Sequence, residues 1–211
     1  NGSSIIAFGI GATSGPEEGM RMVGAHTDSP CLMAKPSPEK HQHGYFQLGV
    51  QVYGGALLNP WFDRDLSIAG RVLYETPGGG IASVLLDFAR PLLSIPSLAI
   101  HLDKEANTNR AVNKQMHLPA VIGTGDENSG FTFRELLQRE LAEQMPGLPL
   151  RQVLDYEMSL YDTQPPALTG LDEAFIASAR LDNLLSCFVG LQALLAADTR
   201  TTALLVCNDH E

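Results

Sequence analysis

Three short segments of the sequence end an apolar stretch with side chains that are able to bind a metal ion. They are Val-Gly-Ala-His-Thr-Asp at residues 23–28, Arg-Leu-Asp-Asn at 180–183 and Val-Cys-Asn-Asp-His-Glu at 206–211. Histidine nitrogens and carboxylate oxygens are common zinc ligands. Two zinc ions can share a bridging carboxylate and a hydroxide that attacks a carbonyl carbon. The residue types therefore favour a hydrolytic metal site, and peptide hydrolysis is a reaction that fits it.

None of these segments identifies a metal site by itself. His-x-Asp and Asp-Asn sequences are common by chance, and a single histidine after a strand is more often a loop or capping residue than a ligand. Sites built on a nucleophilic side chain have less support, because no cysteine has a dedicated histidine base and no Gly-x-Ser-x-Gly sequence occurs.

The elements that would position these segments follow from hydrophobic periodicity. Ile5–Ile10 and Met20–Ala25 predict two adjacent strands, with a hairpin as one arrangement, and Thr202–Cys207 predicts a buried strand. Between them, apolar residues at helical spacing after Asn183 predict a helix that Asn183 caps. Because catalytic groups collect at the carboxyl ends of strands in open α/β sheets, we expect the polar segments to meet there.

The middle of the chain has the pattern of a β-rich region. Thr27–Pro38 is interrupted by prolines and serines, and predicts a boundary without regular structure. Thr132 and Glu135 form a capping box at the start of one helix. Alternation and short apolar stretches predict strands at 48–52, 68–74, 81–88, 98–102 and 154–160.

Composition narrows the class of protein. The formal net charge is -10, and no basic run is present that could follow a phosphate backbone, so a nucleic-acid partner is not expected. No apolar stretch reaches the roughly 18 residues that span a bilayer, so a membrane partner is not expected either. Three widely spaced cysteines fit reduced thiols in the cytoplasm. The abrupt ends predict a fragment of a longer protein.

Six segments together resemble the aspartyl aminopeptidase family of cocatalytic zinc metallopeptidases, in its bacterial form. They follow the family's order and extend over nearly the whole chain. The segments are GAHTDSPCLMAKP at 24–36, YGGALLNPWFDRDLSIAGRV at 53–72, IPSLAIHL at 95–102, SLYDTQP at 159–165, ARLDNLLSC at 179–187 and CNDHE at 207–211.

The resemblance implies an α/β fold in which a zinc-peptidase catalytic domain is interrupted by a β-rich insert that mediates oligomerisation. Residues 1–34 and 169–211 would form a partial catalytic domain, and residues 35–168 would form the insert. The implied assembly is a homo-oligomer, a tetrahedral dodecamer. The implied activity is that of a hydrolase, an aminopeptidase that removes an acidic N-terminal residue from peptides by attack of metal-activated water.

The resemblance also assigns roles to individual residues. His26 matches a terminal zinc ligand, and Asp28 matches the carboxylate that orients this histidine. Asp182 matches the carboxylate that bridges two zinc ions, and Glu211 matches the general base. The family's other ligands lie further toward its C-terminus, so the 211 residues alone are expected to bind zinc weakly and to be inactive.

Several alternatives stay open from the sequence. His101 matches a histidine that the insert supplies to the active site of a neighbouring subunit, where it contacts either the metal or the substrate. The same ligand types also accept Co²⁺ or Mn²⁺. Two rival functions are an oligomerisation shell without catalysis and a related metallo-aminopeptidase with broad specificity.

Overall fold

The computed structural model describes residues 2–13, 19–125, 130, 132–198 and 200–210, which form two compact units. One unit comprises Asn1–Ser29 with Pro165–Glu211, and the other comprises Pro30–Gln164. The strands are β1 (Ile5–Gly9), β2 (Arg21–His26), β3 (Cys31–Gln42), β4 (Tyr45–Tyr53), β5 (Leu66–Glu75), β6 (Ile81–Asp87), β7 (Ala120–Thr124), β8 (Gln152–Asp162), β9 (Ala167–Thr169), β10 (Phe175–Ala177) and β11 (Ala203–Asn208). The helices are α1 (Phe133–Gln144) and α2 (Leu181–Ala196).

The discontinuous unit is built on a three-stranded sheet in the order β1-β11-β2. β11 runs antiparallel to β1 and parallel to β2, and α2 packs on the sheet. The packing is close at Gly190, where an added Cβ would lie 2.7 Å from Leu205 Cδ1. β9 and β10 form a separate two-stranded sheet.

The predicted adjacency of the first two strands is wrong. β1 and β2 both exist, but β11 lies between them and pairs with each. Local periodicity identifies the strands correctly, since Ile5–Gly9 and Arg21–His26 match the apolar stretches. Local periodicity cannot show that β11, from the other end of the chain, takes the central position of this sheet.

The continuous unit is a six-stranded antiparallel sheet in the order β6-β5-β8-β3-β4-β7, with α1 against it. As predicted, Thr132 caps α1, and its side chain accepts a hydrogen bond from the Glu135 amide at 3.2 Å. The buried face of α1 includes Phe133, whose ring meets the Tyr156 ring edge-on at 5.0 Å between centroids. Phe133 and Tyr156 belong to the hydrophobic core of this unit, which α1 and the sheet form together.

Two predictions for this region are wrong. The stretch predicted to be irregular, Thr27–Pro38, contains residues 31–38 of the 12-residue strand β3, and Cys31–Ala34 pair there with β4. The strand tolerates Pro36 and Pro38 because they fall where the β3–β4 register shifts between Ala34 and Glu39. A proline there removes no ladder hydrogen bond. The predicted strand at 98–102 is instead a turn with exposed leucines, and β7 was not predicted.

An ion pair between Arg90 and the buried Glu140 connects the segment after β6 to α1. Both terminal nitrogens of Arg90 donate to the Glu140 carboxylate, each at 2.6 Å, and Gln144 donates to the same carboxylate at 2.8 Å. Glu140 is buried, whereas Arg90 is half-exposed. The hydrogen bonds from Arg90 hold the pKa of Glu140 below its usual range, against the opposing effect of burial.

We predict that Glu140→Gln lowers the free energy of unfolding by about 1–3 kcal/mol at pH 7, because Arg90 loses a charged partner. Since the folded-state pKa of Glu140 is depressed, the stabilisation is complete above the unfolded-state pKa, about 4.3. It is lost as pH falls through the folded-state value. Urea unfolding from pH 7 to pH 3 measures both effects.

The control is Glu143→Gln, which changes an exposed carboxylate on the same helix and should alter stability by less than about 0.5 kcal/mol. If wild type and Glu140→Gln lose stability in parallel as pH falls, the Arg90–Glu140 bond contributes nothing to the acid sensitivity.

Candidate metal centre

The parallel pairing of β2 and β11 determines where the candidate ligands lie. His26 is the last residue of β2, and it pairs in register with Asn208, the last residue of β11. The amide of Thr27 continues this pairing with a 2.7 Å hydrogen bond to the Asn208 carbonyl. Because the two strands end together, residues 26–28 and 208–210 come to one edge of the sheet.

The imidazole of His26 is held through Nδ1. This nitrogen lies 3.0 Å from the Asp28 carbonyl oxygen and 3.3 Å from the Asp28 carboxylate oxygen Oδ1. With its proton on Nδ1 donated to Asp28, the neutral ring keeps the lone pair of Nε2 for a metal. The backbone carbonyl of Asp28, rather than its carboxylate, is the closer acceptor, and no residue pattern indicates this contact.

Nε2 of His26 lies 3.5 Å from Oδ2 of Asp182. This distance exceeds that of an ordinary N–H···O hydrogen bond, about 2.7–3.2 Å. Two ligand atoms on a tetrahedral zinc ion, at bond lengths of about 2.0–2.2 Å, are separated by about 3.4 Å. The Asp182 side chain is 90% exposed, so its carboxylate is also accessible on the side away from His26. The pair therefore fits a zinc ion.

Asn183 connects α2 to the segment that carries His26. Its side chain is 2% exposed, donates to the Thr27 carbonyl at 3.0 Å and accepts from the Ser29 hydroxyl at 2.9 Å. The prediction that Asn183 caps α2 is wrong. The residue at the N-cap is Arg180, which has a left-handed backbone with φ of 63°, and the Asn183 side chain instead bonds across to β2's end.

The two cysteines near this edge are structural, in agreement with the sequence interpretation. The Cys187 thiol on α2 donates to the His26 carbonyl oxygen at 3.1 Å. Burial raises the pKa of the Cys207 thiol at the end of β11, and a hydrogen bond with Cys187 raises it further. A thiol that stays protonated is a poor nucleophile, so Cys207 does not resemble a catalytic cysteine.

A second group of metal-binding side chains lies beside the first. Asp28, Asp209 and His210 each offer a ligand atom, and these atoms all lie within 4.8 Å of one another. No ligand role was predicted individually for Asp209 or His210 from the sequence. The sequence signal for both is the polar end of the segment at 206–211, where Asp209 and His210 directly follow β11.

The remaining two predicted site residues are Glu211 and His101. Glu211 lies outside the described residues. His101 belongs to the continuous unit, where it lies exposed in a turn. The structure thus brings together His26, Asp28 and Asp182, and their individual roles stay predictions.

Comparison with protein families gives a match over the whole chain. The family model described as aminopeptidase I zinc metalloprotease (M18) matches residues 1–211. A protein of Ectopseudomonas mendocina named "Probable M18 family aminopeptidase 2" is 56% identical over 211 residues, covering 100% of this chain and 49% of the relative. One from Pseudomonas putida F1 with the same name is 58% identical over 213 residues, with the same coverage. The chain spans about half the length of these relatives.

Solved structures share the fold. Ape4 in its complex with Nbr1 aligns with a TM-score of 0.84 at 36% identity, covering 99% of this chain and 44% of that one. Chaetomium thermophilum mApe1 aligns with a TM-score of 0.81 at 32% identity, covering 99% and 50%. The S. cerevisiae mApe1 dodecamer aligns with a TM-score of 0.75 at 26% identity, covering 100% and 48%.

None of the helices that the structure describes has the length and apolar character of a membrane span.

The family model covers every residue of the chain, and the motifs that indicated the resemblance lie within that match. The chain therefore belongs to the M18 family of zinc metalloproteases.

Proposed function

We propose that this chain is part of a zinc aminopeptidase that removes an acidic N-terminal residue from peptides. The observation that carries the proposal is the 3.5 Å separation of His26 Nε2 and Asp182 Oδ2, which suits two ligands of one zinc ion. Curated relatives named as aminopeptidases support the reaction class. When bound, zinc lowers the pKa of a water ligand and polarises a substrate carbonyl.

Each residue near the site has a distinct task in this proposal. His26 would hold one of two zinc ions through Nε2, while its Nδ1–H donates to Asp28 and so keeps the ring from turning. Asp182, at the start of α2, would be the carboxylate that the two ions share. Glu211 accepts a proton from water and passes it to the leaving amine. Co²⁺ or Mn²⁺ would suit the same donor atoms.

Assembly is the second part of the proposal. Residues 35–168 would be an insert that joins copies of the chain into a homo-oligomer, with residues 1–34 and 169–211 in the catalytic domain. Support comes from the separate compact unit at Pro30–Gln164 and from a dodecamer among the similar structures. His101 would reach a neighbouring subunit's site, as a metal ligand or as a contact of the substrate carbonyl.

The substrate assignment predicts faster release of acidic residues. The full-length protein should hydrolyse chromogenic substrates with N-terminal Asp or Glu at least about 100-fold more efficiently, in kcat/KM, than one with N-terminal Leu. Equal rates would indicate the broad-specificity enzyme. Activity with none of the three substrates would favour an oligomerisation shell.

The ligand assignment predicts loss of metal together with activity. In the full-length protein, His26→Ala and Asp182→Asn should each lower bound zinc, measured by elemental analysis after dialysis, and should reduce kcat by about 1,000-fold or more. Asp172→Asn, at an exposed position in the same unit, is the matched control and should retain both. Unchanged zinc content in His26→Ala would refute the assignment.

Asn183 is a positioning residue, so replacing its side chain should lower kcat by weakening the affinity of the site for zinc. Asn183→Ala frees the Thr27 carbonyl and Ser29 hydroxyl, so the affinity for zinc should fall about 10- to 100-fold, as when outer contacts of ligands are lost. Competition with a chelator measures the affinity. Excess zinc should restore kcat if the role is positional. Gln192→Ala, exposed on the same helix, should leave the affinity unchanged.

A further inference from the structure

Strand β6 forms one edge of the six-stranded sheet and carries exposed apolar residues on that edge. Its only partner strand in the described chain is β5. Ile81 is 71% exposed and Leu85 is 69% exposed. Natural edge strands usually carry lysine, proline or a bulge that prevents pairing with another chain. β6 has neither residue type, and its register with β5 is unbroken.

Hydrogen bonds at both ends of the β5–β6 pair show which way the β6 backbone faces. The Thr76 amide donates to the Gly80 carbonyl at 2.8 Å, and the Phe88 amide donates to the Ile68 carbonyl at 3.1 Å. Hydrogen-bonded pairs alternate along an antiparallel ladder. Even-numbered residues of β6 therefore bond to β5. The amides and carbonyls of the odd-numbered residues Ile81, Ser83 and Leu85 face the open edge. The Asp87 carbonyl is already used, because it accepts a hydrogen bond from the Gln144 side chain of α1 at 2.8 Å.

We propose that β6 pairs with β6 of a second copy of the chain, antiparallel about a two-fold axis, with Ser83 facing Ser83 of the second copy. In this register Ile81 faces Leu85 of the second copy, and Leu85 faces Ile81 in the same way. Each of these facing pairs exchanges two hydrogen bonds through the outward backbone groups. The six-stranded sheet then continues across the axis.

This register makes the best use of the exposed side chains. Aliphatic residues lie opposite one another on both sides of the axis, and such cross-strand pairs stabilise a sheet. The Asp87 carboxylate stays outside the paired segment, where it keeps its hydrogen bonds from the Tyr161 hydroxyl and the Ala89 amide. Moving the centre to Leu85 would place Ser83 against Asp87 and leave Ile81 without an aliphatic partner.

The pattern of outward residues along β6 indicates that a second copy of the chain is the partner that pairs with this edge. The outward sequence Ile-Ser-Leu is polar at its centre and aliphatic at both ends, so it is complementary to itself when one strand is reversed. A two-fold interface requires this property. The proposal rests on the assembly part of the proposed function and specifies where two subunits meet.

The first test removes one outward amide. In Ser83→Pro the lost N–H belongs to an odd-numbered residue, so the β5 pairing is retained and only pairing at the open edge is blocked. Sedimentation velocity of the full-length protein should show smaller species for Ser83→Pro, with a dissociation constant raised at least about 10-fold. Ser83→Ala, which keeps the amide, should sediment like wild type.

The second test reports the register and does not depend on disrupting the strand. Oxidised glutathione should convert Ser83→Cys into a disulfide-linked dimer, because facing Cα atoms about 5.5 Å apart permit a disulfide. Leu85→Cys and the wild-type cysteines should not form this dimer. Crosslinking through residue 85 but not residue 83 would overturn the register.

The two tests separate this inference from the function on which it rests. An oligomeric wild type that is unaffected by Ser83→Pro and does not crosslink through Ser83→Cys would overturn the β6 interface alone. A wild type that is monomeric would overturn both the interface and the proposed assembly, while zinc binding and hydrolysis of Asp substrates would still be measured independently.

Discussion

The amide side chain of Asn183 joins the first turn of α2 to the segment after β2, and the spacing of His26 and Asp182 depends on it. The amide is buried and both its donor and its acceptor are used, toward Thr27 and Ser29. A buried amide left without these partners would be costly, so the two elements are held in one arrangement. The Cys187 thiol adds a second connection, to the His26 carbonyl.

In both compact units, a buried polar side chain with satisfied hydrogen bonds holds a helix in position. In the discontinuous unit a buried polar side chain fixes the position of groups that face outward, where Asp182 is exposed and available to a metal. In the continuous unit the Arg90–Glu140 pair fixes α1 to the sheet, and the sheet retains an open edge at β6. In each unit, rigid packing of the interior holds an exposed group in place: the Asp182 carboxylate in the discontinuous unit and the open edge of β6 in the continuous unit.

Sequence patterns predicted most elements because the local signals are strong. The capping box located the start of α1, and alternation located β4, β5 and β8. Errors occurred where tertiary contacts override local preference. Prolines in β3 are tolerated at a register shift, and the apolar stretch at 98–102 pairs with no strand among the residues that the structure describes. Neither circumstance can be read from neighbouring residues alone.

The sequence by itself determined which chemistry is available, because the side chains at 26, 28 and 182 are of types that are able to bind metals, and the motifs around them are those of the family. The tertiary structure decided the geometry. β11 lies between β1 and β2 and ends level with His26, and Asn183 turns inward instead of capping its helix. Distances between remote residues depend on strand order and on buried hydrogen bonds, which form only when the whole unit packs.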